Sequence, residues 1–301
     1  IRLFESSTGG LLSPESEGDN PWRYKFTWNP RNVVLAGQGG AVKFIQEGKY
    51  KYIPPHMVFR RTELINVSGY GKFEGLANRD SLKYKEAYQL EDVGTLYRGT
   101  LRRPGFARAW DSFVKLGMTD DSYVIEGTND LTFREYTNLF LAYNPKDSVE
   151  LKLKYYLNIP QDSDIMSKLV WAGIFSDNKF PFEKGTPAQC LEFILKRVWS
   201  LNQSDKDMIV MFHKVGWSQG GELKMVESSM GFEGMDSSKT AMAITVGLPL
   251  AIATKLVLTG QTLKPGVQMP ITKEWYGPIL DELEADFEVT FSDSMVDYKG
   301  Y

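Results

Sequence analysis

The stretch Asn78–Phe106, NRDSLKYKEAYQLEDVGTLYRGTLRRPGF, decides how this chain is read. Its first residues suit a turn, a short helix follows that Asp80 or Ser81 can cap, and a strand closes it. Side chains alternate along Thr95–Arg102, so Leu96, Arg98, Thr100 and Arg102 share one face, and Tyr97, Gly99 and Leu101 take the other. Gly99, lacking a side chain, lets a ligand or another strand come close. A guanidinium pairs bidentately with a carboxylate, so Arg79 at the turn with Arg98 and Arg102 on the strand can hold a ligand carrying several carboxylates. The alternative on the residues alone is a solvated strand face with ordinary ion pairs.

NRDS followed by RGTLR-x-x-GF resembles the core of the saccharopine dehydrogenase family, whose usual form is YPNRDS followed by RGTLRYPGF. Leu76 and Ala77 stand where Tyr-Pro is usual, and Arg103 replaces an aromatic. The resemblance implies that Arg79, Thr100, Leu101 and Arg102 bind saccharopine. It extends from Gly9 to Leu283. Thr8-Gly-Gly-Leu-Leu-Ser-Pro-Glu15 is similar to CGGLPAPE, Tyr24-Lys-Phe-Thr-Trp28 to YKFSW, Trp171-Ala-Gly-Ile-Phe-Ser-Asp177 to WLGLFSD, and Thr240–Pro249 to S-x-MA-x-TVG-x-P. It also implies that the turn after Trp28, at Asn29 and Pro30, lies near the cofactor, NAD or NADP.

The chain has 301 residues, a 42% apolar and 24% charged composition, and a net charge of -3. This is long enough for two structural units and lacks the basic excess of a nucleic-acid binder. The most apolar stretch, Ala241–Leu258, is interrupted by Gly247, Pro249 and Lys255, so no membrane span is expected. The single cysteine, Cys190, lies in a helical pattern as a structural thiol and fits a reducing compartment, here taken as the cytoplasm. With two histidines and one cysteine, no Cys/His metal site is expected. The opening Ile-Arg-Leu-Phe-Glu reads as the middle of a strand, which suggests a sequence beginning inside a longer protein.

The order of elements points to an α+β fold: a mixed-sheet substrate-binding domain with an inserted all-helical subdomain, and terminal α/β pieces that would dock on a Rossmann domain. The expected boundaries are 1–106 plus 205–260 for the sheet domain, 107–204 for the insert and 261–301 for the returning pieces. Residues 1–15 read as a strand running into a Gly9-Gly10 turn, and Tyr24–Trp28 as an aromatic strand with Phe26 and Trp28 packed. Ala41–Tyr52 reads as a hairpin. Helical spacing marks Arg108–Leu116, closed by Gly117, and also Thr132–Phe140, Ser163–Phe175 and Pro187–Leu201. Lys206–His213 and Glu222–Glu227 pair across a Gly-rich turn, and a long helix ends at Thr259, its first amides unpaired. No dinucleotide fingerprint is found: Gly69–Gly75 has the wrong spacing, and Gly37–Gly40 fails too. His56 reads as a surface residue. His213, with no partner adjacent in sequence, reads first as a structural or edge histidine and second as an acid–base group.

The resemblance implies NAD(P)-dependent cleavage of saccharopine to glutamate and 2-aminoadipate semialdehyde, or its reverse, in an L-glutamate-forming enzyme of lysine metabolism, acting as a homodimer. Hydride passes between the carbon of the secondary amine and the cofactor, and the imine is hydrolysed. The acid–base groups and the dinucleotide site are expected mostly outside these residues, so no catalytic residue is assigned. Two other readings are a stand-alone binding or dimerisation module and a reductase acting on a carboxylated polyamine.

Overall fold

The computed structural model describes residues 1–160, 163–261 and 265–300. The main sheet comprises β1 (Leu3–Leu12), β2 (Val42–Gln46), β3 (Lys49–Ile53), β4 (Thr62–Val67), β5 (Gly71–Ala77), β6 (Thr95–Arg102), β9 (Asp207–Gln219), β10 (Glu222–Glu233) and β11 (Ser292–Val296). Its order is β11-β10-β9-β1-β6-β2-β3, with the β4–β5 hairpin joined to β6 through β5. The pair of β1 and β6 is parallel and the other pairs are antiparallel. A small pair, β7 (Ile125–Glu126) with β8 (Lys184–Gly185), lies within the helical block. The helices are α1 (Pro30–Val34), α2 (Tyr84–Ala87), α3 (Phe106–Leu116), α4 (Phe133–Asn138), α5 (Val149–Leu157), α6 (Asp164–Trp171), α7 (Pro187–Trp199), α8 (Ala241–Leu258) and α9 (Lys273–Phe287). The mixed α+β class read from the sequence holds.

β6 occupies the expected residues, and α3 ends on Gly117 in the left-handed region at φ +81. The Gly9-Gly10 turn is not formed: β1 runs straight through both residues. A side chain at Gly9 would come within 2.7 Å of the Leu101 carbonyl oxygen, so this glycine admits the neighbouring strand. Gly99 serves the same end, since a Cβ there would press on Ser7 and Tyr97 on the face opposite the arginines.

Tyr24–Trp28 is irregular rather than a strand. The Phe26 amide donates to the Trp199 carbonyl at 2.8 Å, and the buried Lys25 ammonium reaches the Asp205 carboxylate at 2.6 Å. Tertiary contacts thus replace a ladder. Phe26 is buried, but Trp28 is 44% exposed, so only one of the two expected packing aromatics packs.

The block between β6 and β9 is helical as expected, with α5 and the β7–β8 pair additional to the sequence reading. It shares one core with the chain before it: Trp22, Tyr24, Val34 and Phe59 join Trp110, Phe113 and Trp199. Trp22 stacks on Phe113 and meets Trp199 edge-on at 5.2 Å. β9 and β10 extend past their expected ends as a twelve-pair ladder. The C-terminal β11 joins this same sheet through β10.

α8 packs on β9, β10 and α9 through Ile252 and Leu256, while Val246, Leu250, Val257 and Leu258 are exposed. Gly247 and Pro249 do not break it. Its 18 residues have a mean hydropathy of 1.9 and only 17% of them are buried, so it is long and apolar enough to cross a membrane. That overturns the expectation that no stretch here would meet that test.

Candidate functional site

The turn before β6 is built by its own side chains. The Asp80 carboxylate accepts from the Leu82 amide at 3.0 Å and caps a 3-10 turn, Ser81–Lys83. The Ser81 hydroxyl accepts from the Arg98 amide at 3.1 Å, and the Asn78 amide donates to the Arg98 carbonyl at 2.8 Å. The turn is therefore clamped to both sides of one residue of β6. Between the clamps Arg79 is exposed and adopts φ +50, a conformation that a non-glycine residue takes at some cost. Its carbonyl accepts from the Lys43 amide at 3.0 Å, and Lys43 also pairs with Asp80 at 3.5 Å.

Along β6 the expected alternation is visible in the partners. The Arg98 guanidinium lies 4.1 Å from the Tyr84 ring centre. Arg102 is only 8% exposed; its guanidinium sits 5.0 Å from the Tyr24 ring and 5.5 Å from the Phe106 ring, and Nη1 donates to the Leu101 carbonyl at 2.9 Å. Among the described residues, none of Arg79, Arg98 and Arg102 has an ion-pair partner. A buried cation held by ring faces and one carbonyl is costly unless an anion joins it.

Beside this strand the sheet is open. Thr8 is exposed although β1 is a central strand, and Thr100, its register partner on β6, is half-buried. A Cβ on Gly10 would meet Met242 and the Thr27 hydroxyl, both at 2.9 Å, so α8 and the irregular segment border the opening. The hydroxyls of Thr27 and Tyr24 are buried without a hydrogen-bond partner among the described residues. Burial pushes the Tyr24 phenol above its usual range, and nearby Arg102 pulls against that. Arg102, Tyr24 and Thr27 thus offer one charge and two uncommitted hydroxyls. Reading by motif singled out only the arginine, because the hydroxyls become distinctive only once buried.

The remaining sequence candidates fall elsewhere. The Leu101 side chain is fully buried on the opposite face with Leu11 and Phe73, leaving only its backbone carbonyl in contact with Arg102. Asn29 is exposed, and its side-chain oxygen accepts from the Arg31 amide at 3.0 Å as the cap of α1, whose first residue is Pro30. The start of α8 is also closed to anions. Asp207, fully buried, accepts from the Ala241 amide at 2.5 Å and the Met242 amide at 3.0 Å, and Thr240 accepts from Ala243 at 3.0 Å. The expectation of unpaired amides there is corrected by a carboxylate from β9, 34 residues away. Burial raises the Asp207 carboxyl above the usual range against those amide bonds.

The profile of the saccharopine dehydrogenase C-terminal domain matches residues 1–288. The chain belongs to that family. It is 29% identical over 303 residues to the saccharopine dehydrogenase [NADP(+), L-glutamate-forming] of Saccharomyces cerevisiae, covering 98% of this chain and 67% of that one. It is 32% identical over 293 residues to the mitochondrial alpha-aminoadipic semialdehyde synthase of Rattus norvegicus, covering 95% of this chain and 31% of that one. The chain therefore spans about a third of the length of its mammalian relatives. The solved structure of apo, histidine-tagged saccharopine dehydrogenase (L-Glu forming) from Saccharomyces cerevisiae superposes with a TM-score of 0.85 at 29% identity, over 99% of this chain and 67% of that one.

Proposed function

We propose that this chain is the substrate-binding portion of an NAD(P)-dependent, L-glutamate-forming saccharopine dehydrogenase of lysine metabolism. Its open sheet face holds saccharopine, or glutamate and 2-aminoadipate semialdehyde, through Arg79, Thr100 and Arg102, with Leu101 contributing backbone. The observation that carries this reading is Arg102, a buried guanidinium with no carboxylate beside it among the described residues. A ligand carboxylate would supply the missing charge. Saccharopine has three carboxylates, which suits Arg79, Arg98 and Arg102, none of which has an ion-pair partner among the described residues. The names of the yeast and rat relatives support the same substrate class.

The dinucleotide site lies mainly outside the described residues in this proposal. The start of α8 is filled by Asp207, the Asn29 side-chain oxygen is spent on its own helix, and a glycine-rich strand-to-helix turn is absent among them. In this reading NAD or NADP, which accepts the hydride, is held mainly by a nucleotide-binding portion outside these residues, with Asn29 and Pro30 at its margin. The exposed apolar side of α8 is the platform on which that portion docks. A homodimer formed through the sheet, in the cytoplasm, completes the proposal.

The test is calorimetric titration of saccharopine into wild-type and Arg102→Ala protein, with circular dichroism to check the fold. Losing a charge-assisted hydrogen bond of about 1.5–3 kcal/mol raises Kd by roughly ten- to a hundredfold. An unchanged Kd in a folded variant overturns the assignment.

A further inference from the structure

One row of the sheet crosses five strands. Arg98 on β6 is in register with Ser6 on β1, Ser6 with His213 on β9, His213 with Ser228 on β10, and Ser228 with Asp293 on β11. Register partners point to the same side of a sheet, so all five side chains lie on the face that carries Thr8 and Thr100. The row begins at a cation, ends at a carboxylate and has a histidine between them.

His213 is not the partnerless strand residue that its sequence neighbours suggest. Its Nδ1 lies 3.0 Å from the Ser6 hydroxyl, and its ring lies 5.7 Å from that of Phe291. Nε2 has no hydrogen-bond partner among the described residues. Burial lowers its pKa, with Asp293 opposing, so the imidazole is neutral near pH 7 and each nitrogen has one role. If Nδ1–H donates to Ser6, Nε2 is left as an acceptor.

We propose that His213, held by Ser6, is a ligand-contacting residue of this cleft, whose Nε2 accepts a hydrogen bond from the amino group of a carboxylated amino acid. This rests on the substrate reading given above and adds to it a contact for the ligand's amino group, which a guanidinium cannot serve. The charge order supports an amino group at this place. Arg79, Arg98 and Arg102 make one side of the face positive, whereas His213 is neutral and flanked by Asp293. The Lys214 ammonium, the other nearby cation on β9, projects from the opposite face, where it meets Glu5 at 3.3 Å. A ligand with a bare carboxylate at one end and an α-ammonium beside its carboxylate at the other matches this gradient in one orientation only.

The chain has two histidines, His56 and His213, which makes imidazole NMR a direct probe. Saccharopine, L-2-aminoadipate and adipate would be titrated into the chain while both imidazoles are observed. The last two probes differ only in the α-amino group. The expected result is that saccharopine and L-2-aminoadipate move the His213 signals and adipate does not, with His56 unmoved throughout. By calorimetry, His213→Phe should weaken L-2-aminoadipate about tenfold and leave adipate unchanged, and Ser6→Ala should weaken L-2-aminoadipate less. Binding of saccharopine with no change at His213, or equal losses for both probes in His213→Phe, overturns the contact but leaves the substrate reading standing. No heat from saccharopine or L-2-aminoadipate overturns both. The wild-type NMR titration decides the matter even if His213→Phe fails to fold.

Discussion

On one side of the strand end Arg103 meets Glu17 at 2.8 Å, and Glu17 also pairs with Arg23. On the other side Arg102, its neighbour in sequence, finds aromatic rings and, among the described residues, no carboxylate. Burial pulls the Arg103 pKa down and Glu17 pulls it back, so this cation is already neutralised within the chain. Two helices repeat the contrast. α7 buries Cys190, Leu191, Ile194, Leu195 and Trp199, whereas the more apolar α8 leaves Val246, Leu250, Val257 and Leu258 exposed. Where a region is complete, its charges and apolar stripes find partners inside the chain. Where it is not, the unmatched groups point to something the fold is built to receive.

The largest expected effect tests the helices. Leu195→Ala should cost about 2–5 kcal/mol in a denaturation experiment, because it leaves a cavity in a filled core. Leu250→Ser, at a residue 71% exposed, should cost no more than about 0.5 kcal/mol. Similar losses for both would mean that α8 is as well supported as α7, and the contrast would fail.

A smaller effect sharpens the comparison of the arginines. Arg103→Ala should destabilise the fold by about 2–4 kcal/mol, since it strands much of the Glu17 charge, without changing saccharopine affinity. Arg102→Ala should cost only about 1 kcal/mol of stability, the loss of its ring contacts, while affinity falls. Denaturation midpoints and binding isotherms of the two variants therefore cross over. If Arg103→Ala loses binding and Arg102→Ala loses stability, the division of labour is reversed.

The smallest effect concerns the neutral end of the row. His213 has a pKa lowered by burial, so the unfolded chain takes up its proton first as pH falls. The stability this group contributes is present above the ordinary value of 6.5 and is lost as pH falls from there through the folded value. His213→Phe should flatten that part of the stability profile. A profile that keeps the same slope in the variant would assign the loss to other groups.

The sequence by itself determined the strand of arginines, a cap at Asp80 or Ser81, the stop at Gly117 and the α+β class, because each depends on a local rule: alternation, capping, or left-handed glycine. It also carried the family through ordered motifs. What it did not determine were the partners. Whether Arg102 or Arg103 receives a carboxylate depends on Glu17, 86 residues from Arg103. The partner of His213 lies 207 residues away. The amides at the start of α8 are closed by Asp207, and Gly9 and Gly10 read as a turn until a neighbouring strand is placed against them. These outcomes rest on contacts between distant segments, and hydrogen bonding, ion pairing and close packing act over a few ångströms in space whatever the separation along the chain. Only the tertiary structure brings those segments within that range.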